Sequence, residues 1–180
     1  MNFQLNNGTQ FCNYRLSGGT LYYSQQGTGA WTVCGNGTFT NAVSMGNAIL
    51  ENTMIVGEGV GTTRHTTTGT SFTDTSGAPI AAYFVDYPNR IYAAGTASTL
   101  FWSVAGTPTN WSGTDSSSIS IPGAGRLNGL IKATDRVNTT KNSGLIHRWD
   151  AYNLLDLSTS LGPTSPQSLG SVEGFRFYIS

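Results

Sequence analysis

The sequence predicts an all-β protein built as a β-propeller-like array, and three observations lead to this prediction. A pattern of short strands and turns recurs about every 40 residues along the chain. No stretch of 12 residues shows the apolar spacing of an amphipathic helix, and glycine, serine and threonine are abundant. Repeats of this length with several short strands each are typical of propellers, in which one four-stranded antiparallel sheet forms each blade. We therefore expect about four such blades followed by one incomplete unit.

The clearest copy of the repeat spans residues 89–111. It contains two β-type runs, residues 90–94 and 99–103, which are joined by small turn-forming residues and followed by a Gly-Thr-Pro loop. The second run aligns with residues 20–24 and 62–66 of two earlier copies. The residues that open the preceding strand lie 39, 37 and 46 positions apart, at Asn13, Asn52, Asn89 and Asp135.

Two positions of the repeat carry large rings in successive copies. The first position lies within a strand and holds Tyr23, His65, Trp102 and His147. The second position follows the strand and holds Trp31, Phe72 and Trp111. Because a large ring fills the space between packed blades well, we expect these side chains to be mostly buried. On that expectation, Trp102→Ala costs roughly 3–5 kcal/mol of stability. The alternative for the tryptophans is a sugar-stacking platform of the kind that repeat lectins use.

The repeats divide a single predicted domain, residues 1–180, into units at about 13–40, 43–76, 79–114 and 117–157. Residues 1–12 are interpreted as a leader or as a strand that a neighbour uses. A partial unit at 170–180 contains an apolar strand that has no partner in the sequence, with Val172, Phe175, Phe177 and Ile179 as its apolar residues. Such an edge exposes backbone donors and acceptors that recruit another strand. We therefore expect closure by another chain or by further sequence, and a homo-oligomer with its contact near this strand.

The composition argues against several classes of partner. Charged residues make up 10% of the chain and the formal net charge is zero, whereas ordinary soluble domains have about 25% charged residues. Because phosphate binding requires concentrated positive charge, we expect no nucleic-acid partner. No apolar run is long enough to cross a bilayer, and the polar residues 1–11 lack a signal-peptide core, so no membrane partner is expected. Cys12 and Cys34 form either a disulfide or two buried free thiols, and the missing secretory context favours the thiols.

No pattern of catalytic or cofactor-binding residues stands out. The glycine-rich residues 57–61 lack the spacing of a nucleotide-binding loop and predict a hairpin turn. His65 and His147 have no third metal ligand spaced near them, and the cysteines form no C-x-x-C pair. The nine carboxylates show no acid–base couple. We expect no enzyme activity, no cofactor and no metal site.

One segment resembles a known family. Residues 87–95 (YPNRIYAAG), 99–103 (TLFWS) and 106–111 (GTPTNW) resemble the propeller repeats of tailed-bacteriophage virion proteins, in which a phrase like NRLYVAG…RLYWS…GDPENW recurs. The similarity covers roughly residues 52–156. It departs at residues 107–110, where an acidic residue often precedes the proline, and at the polar strand 137–140.

This resemblance implies a structural component of the tail nozzle, neck or tail, without catalytic residues. Its partners would be other virion proteins, and its location would be the virion, assembled in the host cytoplasm. The alternative from another class is an extracellular carbohydrate-binding propeller, a lectin or adhesin, with a glycan as its ligand. The best-matched residues are strand openers and turn glycines, which favours the structural role.

Overall fold

The computed structural model describes residues 2–6, 11–25, 29–40, 45–95, 97–133, 136–143, 145–150, 153–158, 169–172 and 175–178. Within these ranges the regular elements are β-strands, arranged as four four-stranded antiparallel sheets and one two-stranded sheet. The predicted all-β array of four blades and a partial unit is therefore confirmed.

Strands that are consecutive in sequence are neighbours within each sheet. The first sheet contains β1 (Asn2–Asn6), β2 (Phe11–Ser17), β3 (Thr20–Gln25) and β4 (Thr32–Thr38). The second contains β5 (Gly46–Leu50), β6 (Thr53–Gly57), β7 (Arg64–Thr66) and β8 (Thr73–Asp74). The third contains β9 (Ala81–Asp86), β10 (Ile91–Gly95), β11 (Thr99–Trp102) and β12 (Ser117–Ser120). The fourth contains β13 (Leu127–Ala133), β14 (Arg136–Lys141), β15 (Ile146–Trp149) and β16 (Leu154–Ser158), and the last sheet pairs β17 (Leu169–Val172) with β18 (Phe175–Tyr178).

Three strands pair differently from the interpretation of the repeats. β1, which lies in the segment interpreted as a leader or a donated strand, pairs with β2 and belongs to the first sheet. β12 pairs with β11 and completes the third sheet instead of leading into the fourth. β18 pairs with β17, so the strand expected to lack a partner finds one in its own chain. The side chains of Val172, Phe175 and Phe177, and Ile179 as a whole, lie outside the described part of the structure.

Residues in the left-handed backbone conformation form the tight turns between strands. The β2–β3 turn has φ of 55° and 75° at its two glycines, and the β5–β6 turn has φ of 51° at Glu51 and 60° at Asn52. Positive φ at both central residues is what a two-residue hairpin needs to match the twist of its strands. Asn52 and Asn89, the latter with φ of 55°, lie in the turns just before β6 and β10, as predicted for residues that begin these strands. Asn13 instead lies inside β2, opposite Gln4.

Among the described residues the core forms three layers, each between two adjacent sheets. The first layer, between the first and second sheets, contains Cys12, Tyr14, Leu21, Cys34, Phe39, Met45, Met54, Val56 and Phe72. The second, between the second and third sheets, contains Ala48, Ile55, Ala81, Phe84, Ile91, Ala93 and Trp111. The third, between the third and fourth sheets, contains Tyr92, Ala94, Leu100, Ile121, Leu127, Val137 and Trp149. Because side chains alternate along a strand, the fully buried β6 and β10 each supply residues to two layers.

Two glycines let the third sheet approach the second. Gly46 and Gly57 face each other across β5 and β6. A Cβ atom at Gly46 would overlap the carbonyl oxygen of Ala82, and one at Gly57 would lie 2.9 Å from Cζ of Phe84. The bare backbone at this pair therefore forms the surface on which β9 and the ring of Phe84 pack.

Candidate functional site

The first ring position lies on the third strand of each four-stranded sheet. Tyr23 on β3, His65 on β7 and Trp102 on β11 are partly buried and partly exposed, rather than mostly buried. Tyr23 packs on the first layer and Trp102 on the third, so each faces the sheet that follows its own. The Trp102 ring stacks on Trp149, with centroids 5.4 Å apart and planes 24° from parallel. At Tyr23 and Trp102 this position therefore joins neighbouring blades.

His147 departs from this arrangement. It is buried on β15, two residues before Trp149, whose ring lies in the third layer. Residues two apart on a strand share a face, so His147 faces the preceding sheet and not the following one. Arg148 occupies the position that corresponds to Trp102. The sequence-based alignment of the repeats therefore places the fourth copy one residue out of register. A shift of one residue assigns every side chain of the strand to the wrong face of the sheet.

At the second ring position, the side chain packs against the preceding sheet in the copies for which the described structure contains one. Phe72 contacts Tyr14 of the first sheet, with ring centroids 6.1 Å apart, and Trp111 lies in the second layer. Trp31 belongs to the first sheet, and among the described residues no sheet precedes it. Its side chain is 40% exposed. The guanidinium carbon of Arg15 lies 4.8 Å from the centroid of the Trp31 ring.

A third repeated position, which the sequence analysis missed, carries a buried hydroxyl. Ser24, Thr66 and Ser103 each follow the first ring position directly, and all three are buried. The amide of Gly69 donates to Oγ1 of Thr66 at 2.9 Å, and the amide of Ile91 donates to Oγ of Ser103 at 3.0 Å. The aligned sequences do contain a serine or threonine at this position in three copies. Because serine and threonine are so common in this chain, the repetition did not distinguish the position from others.

A small cleft lies between the second, third and fourth sheets. It has a volume of about 190 Å³ and is lined by Glu58, Gly59, Val60, Ala82, Tyr83, Gly95, Arg126 and Leu127. The carboxylate of Glu58 accepts a hydrogen bond from the amide of Thr40 at 2.9 Å. Burial raises the pKa of Tyr83, and the nearby charge of Arg126 opposes that rise. The cleft is smaller than the ~300–1,000 Å³ usual for small-molecule sites.

The predicted hairpin turn at residues 57–61 connects β6 to the antiparallel β7. Gly59 within it has φ of 80°, and its amide donates to the carbonyl oxygen of Ala81 at 3.0 Å. This segment therefore joins the second and third sheets through its backbone.

The two cysteines are free thiols, buried in the first layer. Burial is the main cause that raises the pKa of Cys34 to about 12, and it also raises the pKa of Cys12. A thiol is nucleophilic only as a thiolate, so both groups are poor nucleophiles at neutral pH. Tyr14, in the same core layer, donates its hydroxyl proton to the carbonyl oxygen of Gly69 at 2.7 Å.

A buried lysine links the third and fourth sheets. Lys141 is 0% exposed, and burial lowers the pKa of its amine. Its Nζ donates to the carbonyl oxygens of Ile121 at 2.8 Å and Gly123 at 2.6 Å, and to Oγ of Ser98 at 3.1 Å. An ammonium group has three protons to donate, so these three acceptors satisfy it.

We expect Lys141→Met to lower the free energy of unfolding by about 3 kcal/mol, since the two carbonyl oxygens and the hydroxyl would lose a charged donor in a buried place. Urea denaturation measures this. Lys132→Met is the matched control. Lys132 lies on the same sheet as Lys141 and forms an exposed pair with Asp86 of the third sheet at 2.6 Å, and such pairs contribute less than about 1 kcal/mol. Equal losses for the two variants would contradict the role given to Lys141.

The two histidines predict how stability depends on pH. Burial lowers the pKa of both His65 and His147. Nε2 of His147 lies 3.1 Å from the exposed carboxylate of Asp156, which partly opposes the effect of burial. Below the ordinary histidine pKa of about 6.5, the unfolded chain binds more protons than the folded one. The free energy of unfolding should therefore fall as the pH drops below about 6.5 and level off below the folded pKa values.

Urea midpoints measured between pH 7.5 and 5 test this expectation. The double variant His65→Gln, His147→Gln should have a flatter profile over that range than the unaltered chain. Parallel profiles would assign the pH dependence to other groups.

Among the described residues, no group of three or more His, Cys, Asp or Glu side chains is placed to hold a metal ion. The same part of the chain contains no helix with the length and hydrophobicity needed to cross a membrane.

Comparison with solved structures identifies the architecture. A structure of YCF48 bound to D1 peptide matches 85% of this chain and 51% of that chain, with a TM-score of 0.58 and 12% sequence identity. A chain of the nidogen–laminin complex matches over 94% of this chain and 66% of its own length, with a TM-score of 0.62 and 13% identity. The fold is that of a β-propeller. BBS1N, in complex with ARL6DN, matches over 90% of this propeller chain and 51% of its own length, with a TM-score of 0.59 and 13% identity.

These identities are low, and the likeness concerns the fold alone. The propeller chain spans about half the length of YCF48 and BBS1N, at 51% of each. No protein-family model matches the sequence, and the search of curated proteins found no match.

Proposed function

We propose that this propeller is a non-enzymatic structural component of a bacteriophage virion, acting through protein–protein contacts with other virion proteins in the tail or neck. The observation that carries the proposal is that Asn89, Arg90 and Trp111, which lie in the segment that resembles virion repeats, make contacts that stabilise the blade itself. Asn89 takes the left-handed turn before β10, and its carbonyl oxygen accepts a hydrogen bond from the amide of Gly106 at 2.7 Å. Trp111 fills the second layer.

The arginine of this segment has the same kind of role. Arg90 donates through Nη1 to the carbonyl oxygens of Ser103 at 3.1 Å and Asp115 at 2.6 Å. Its Nη2 lies 2.7 Å from Oδ1 of Asp115, and this hydrogen bond is the main cause that lowers the pKa of that carboxyl. Arg90 thus ties the start of β10 to the loop before β12. Asn89, Arg90 and Trp111 of this phrase thus hold the blade together, which supports a scaffold role.

Particle composition tests the proposal. Particles are purified by density gradient from a lysate of cells that produce both the phage and this chain, and their proteins are quantified by mass spectrometry. We expect the chain to copurify with tail and neck proteins at a fixed copy number per particle. A chain that is abundant in the lysate but absent from washed particles would rule out a virion role.

A carbohydrate-binding propeller remains the second candidate, and one observation favours it. Trp31 and Tyr22 lie beside the guanidinium of Arg15 at the surface of the first sheet, 4.8 and 5.6 Å from it. An exposed aromatic ring next to a hydrogen-bond donor suits stacking on a sugar. Binding to a glycan array that is lost in Trp31→Ala would support this candidate over the scaffold role. Binding to none of the glycans would count against it.

A further inference from the structure

We propose that one face of the first sheet is a blade-to-blade interface whose occupant is a second copy of this chain, so that two copies together close one ring. We call it the open face and define it by Arg15, Tyr22, Trp31 and Val33. It would meet the opposite end of the array in the second copy, where the two-stranded sheet β17–β18 follows the fourth sheet. The proposal does not rest on a virion role and holds equally for a propeller that works elsewhere.

The pairing of strands places these residues on one side of the sheet. Arg15 lies opposite Tyr22, and Tyr22 lies opposite Val33, across β2, β3 and β4. Their neighbours Tyr14 and Tyr23 face the other way, into the first layer. Val33 is 52% exposed and Trp31 is 40% exposed. Two large apolar side chains are thus exposed side by side, on the face that points away from the second sheet.

The repeat shows what covers this face elsewhere in the molecule. Tyr22, Arg64 and Phe101 occupy the same position of the aligned copies. Arg64 reaches the preceding sheet, where its Nη1 donates to the carbonyl oxygens of Asn36 at 2.9 Å and Thr38 at 2.6 Å.

The other members of the two repeated positions behave in the same way. Phe101 packs on the second layer, against the preceding sheet. Phe72 and Trp111, at the position of Trp31, are buried on that side as well. Wherever the described structure contains a preceding blade, that blade covers these two positions. The surface that fits the open face is therefore another blade, not a helix or a flat polar surface.

A second copy is the occupant that the dimensions favour. The chain spans 51% of the YCF48 chain and 51% of BBS1N, so two copies supply the length of one such propeller. Two half-rings related by a two-fold axis along the ring centre would make the same contact twice and cover the open face of each copy. The formal net charge of zero means that two copies do not repel each other.

The test measures the mass of the full chain in solution by sedimentation equilibrium over a range of concentrations. We expect the unaltered chain to have twice its own mass of 19.1 kDa. The double variant Trp31→Asp, Val33→Asp places two carboxylates in the contact and should raise the dimer Kd at least tenfold, because buried unpaired charges are strongly unfavourable. Val60→Asp is the matched control, since Val60 is 57% exposed in the small cleft and away from the open face. It should leave the Kd unchanged.

A second measurement covers the case in which the double variant does not fold. Hydrogen exchange of β4 in the unaltered chain should slow as the concentration rises through the Kd, while exchange in β7 of the same sample stays constant. A mass of one chain at every concentration would overturn the proposal and point to some other occupant. A mass of three or more chains would overturn closure by two copies, and so would an unchanged Kd in a folded double variant.

Discussion

Replacing Gly46 by alanine is expected to lower the free energy of unfolding by about 3 kcal/mol. The new Cβ would overlap the carbonyl oxygen of Ala82, which is backbone and cannot rotate away as a side chain could. Relief requires β9 to move off the second sheet, which would open the second layer around Phe84. Overpacking of this kind costs about 1–3 kcal/mol and more where the neighbour is rigid. Chemical denaturation with an unchanged m-value would measure the loss.

Gly29→Ala is the control that measures the effect of replacing a glycine where the new Cβ meets no neighbouring atom. Gly29 has φ of 66° and open space around its Cα, so alanine there should cost about 1 kcal/mol of backbone strain and no steric overlap. If Gly46→Ala proves no more harmful than Gly29→Ala, the close approach of the third sheet is not what glycine provides at this position.

Trp149→Ala is expected to have the largest effect, a loss of about 4 kcal/mol in the free energy of unfolding. Trp149 is buried in the third layer and stacks on Trp102. Truncation would remove the whole indole ring from the layer that joins the third and fourth sheets, and it would leave a cavity. Trp102→Ala should lower the free energy of unfolding by less than the roughly 3–5 kcal/mol expected from the sequence, because Trp102 is only partly buried.

A double-mutant cycle separates the stacking from the burial. The Trp102→Ala, Trp149→Ala variant should be less destabilised than the sum of the two single variants, by about 1 kcal/mol. Strict additivity would show that the rings contribute by burial alone and that their stacking adds nothing.

The sequence was sufficient to predict the blades because the blades repeat. Turn residues with a single physical role, such as Asn52 and Asn89, recur about every 40 residues, and they predicted where β6 and β10 begin. Helical repeats of similar length are excluded because no segment has the apolar spacing of an amphipathic helix. Prediction failed where a copy departs from the others. The fourth copy is one residue out of register at His147, and this error is invisible without knowing which face Trp149 occupies.

Other features depend on contacts between distant residues. The three acceptors of Lys141 are 18 to 43 positions away in the sequence, so nothing near Lys141 indicates that it is buried. The exposure of Trp31 has the same origin. The repeat shows that this position is buried in other copies, whereas only the arrangement of the sheets shows that no preceding sheet among the described residues covers Trp31.

The division of the core into layers has a consequence for how the molecule unfolds. Each four-stranded sheet makes its apolar contacts with its immediate neighbours, and among the described residues no single apolar centre unites all four. Cooperativity must therefore pass from blade to blade, as in a row of coupled units. β6 and β10 couple adjacent layers, because successive residues of each strand belong alternately to one layer and to the next. A blade lost from either end removes one layer and leaves the next intact, so the molecule can open stepwise from its ends inward while the second and third sheets stay folded.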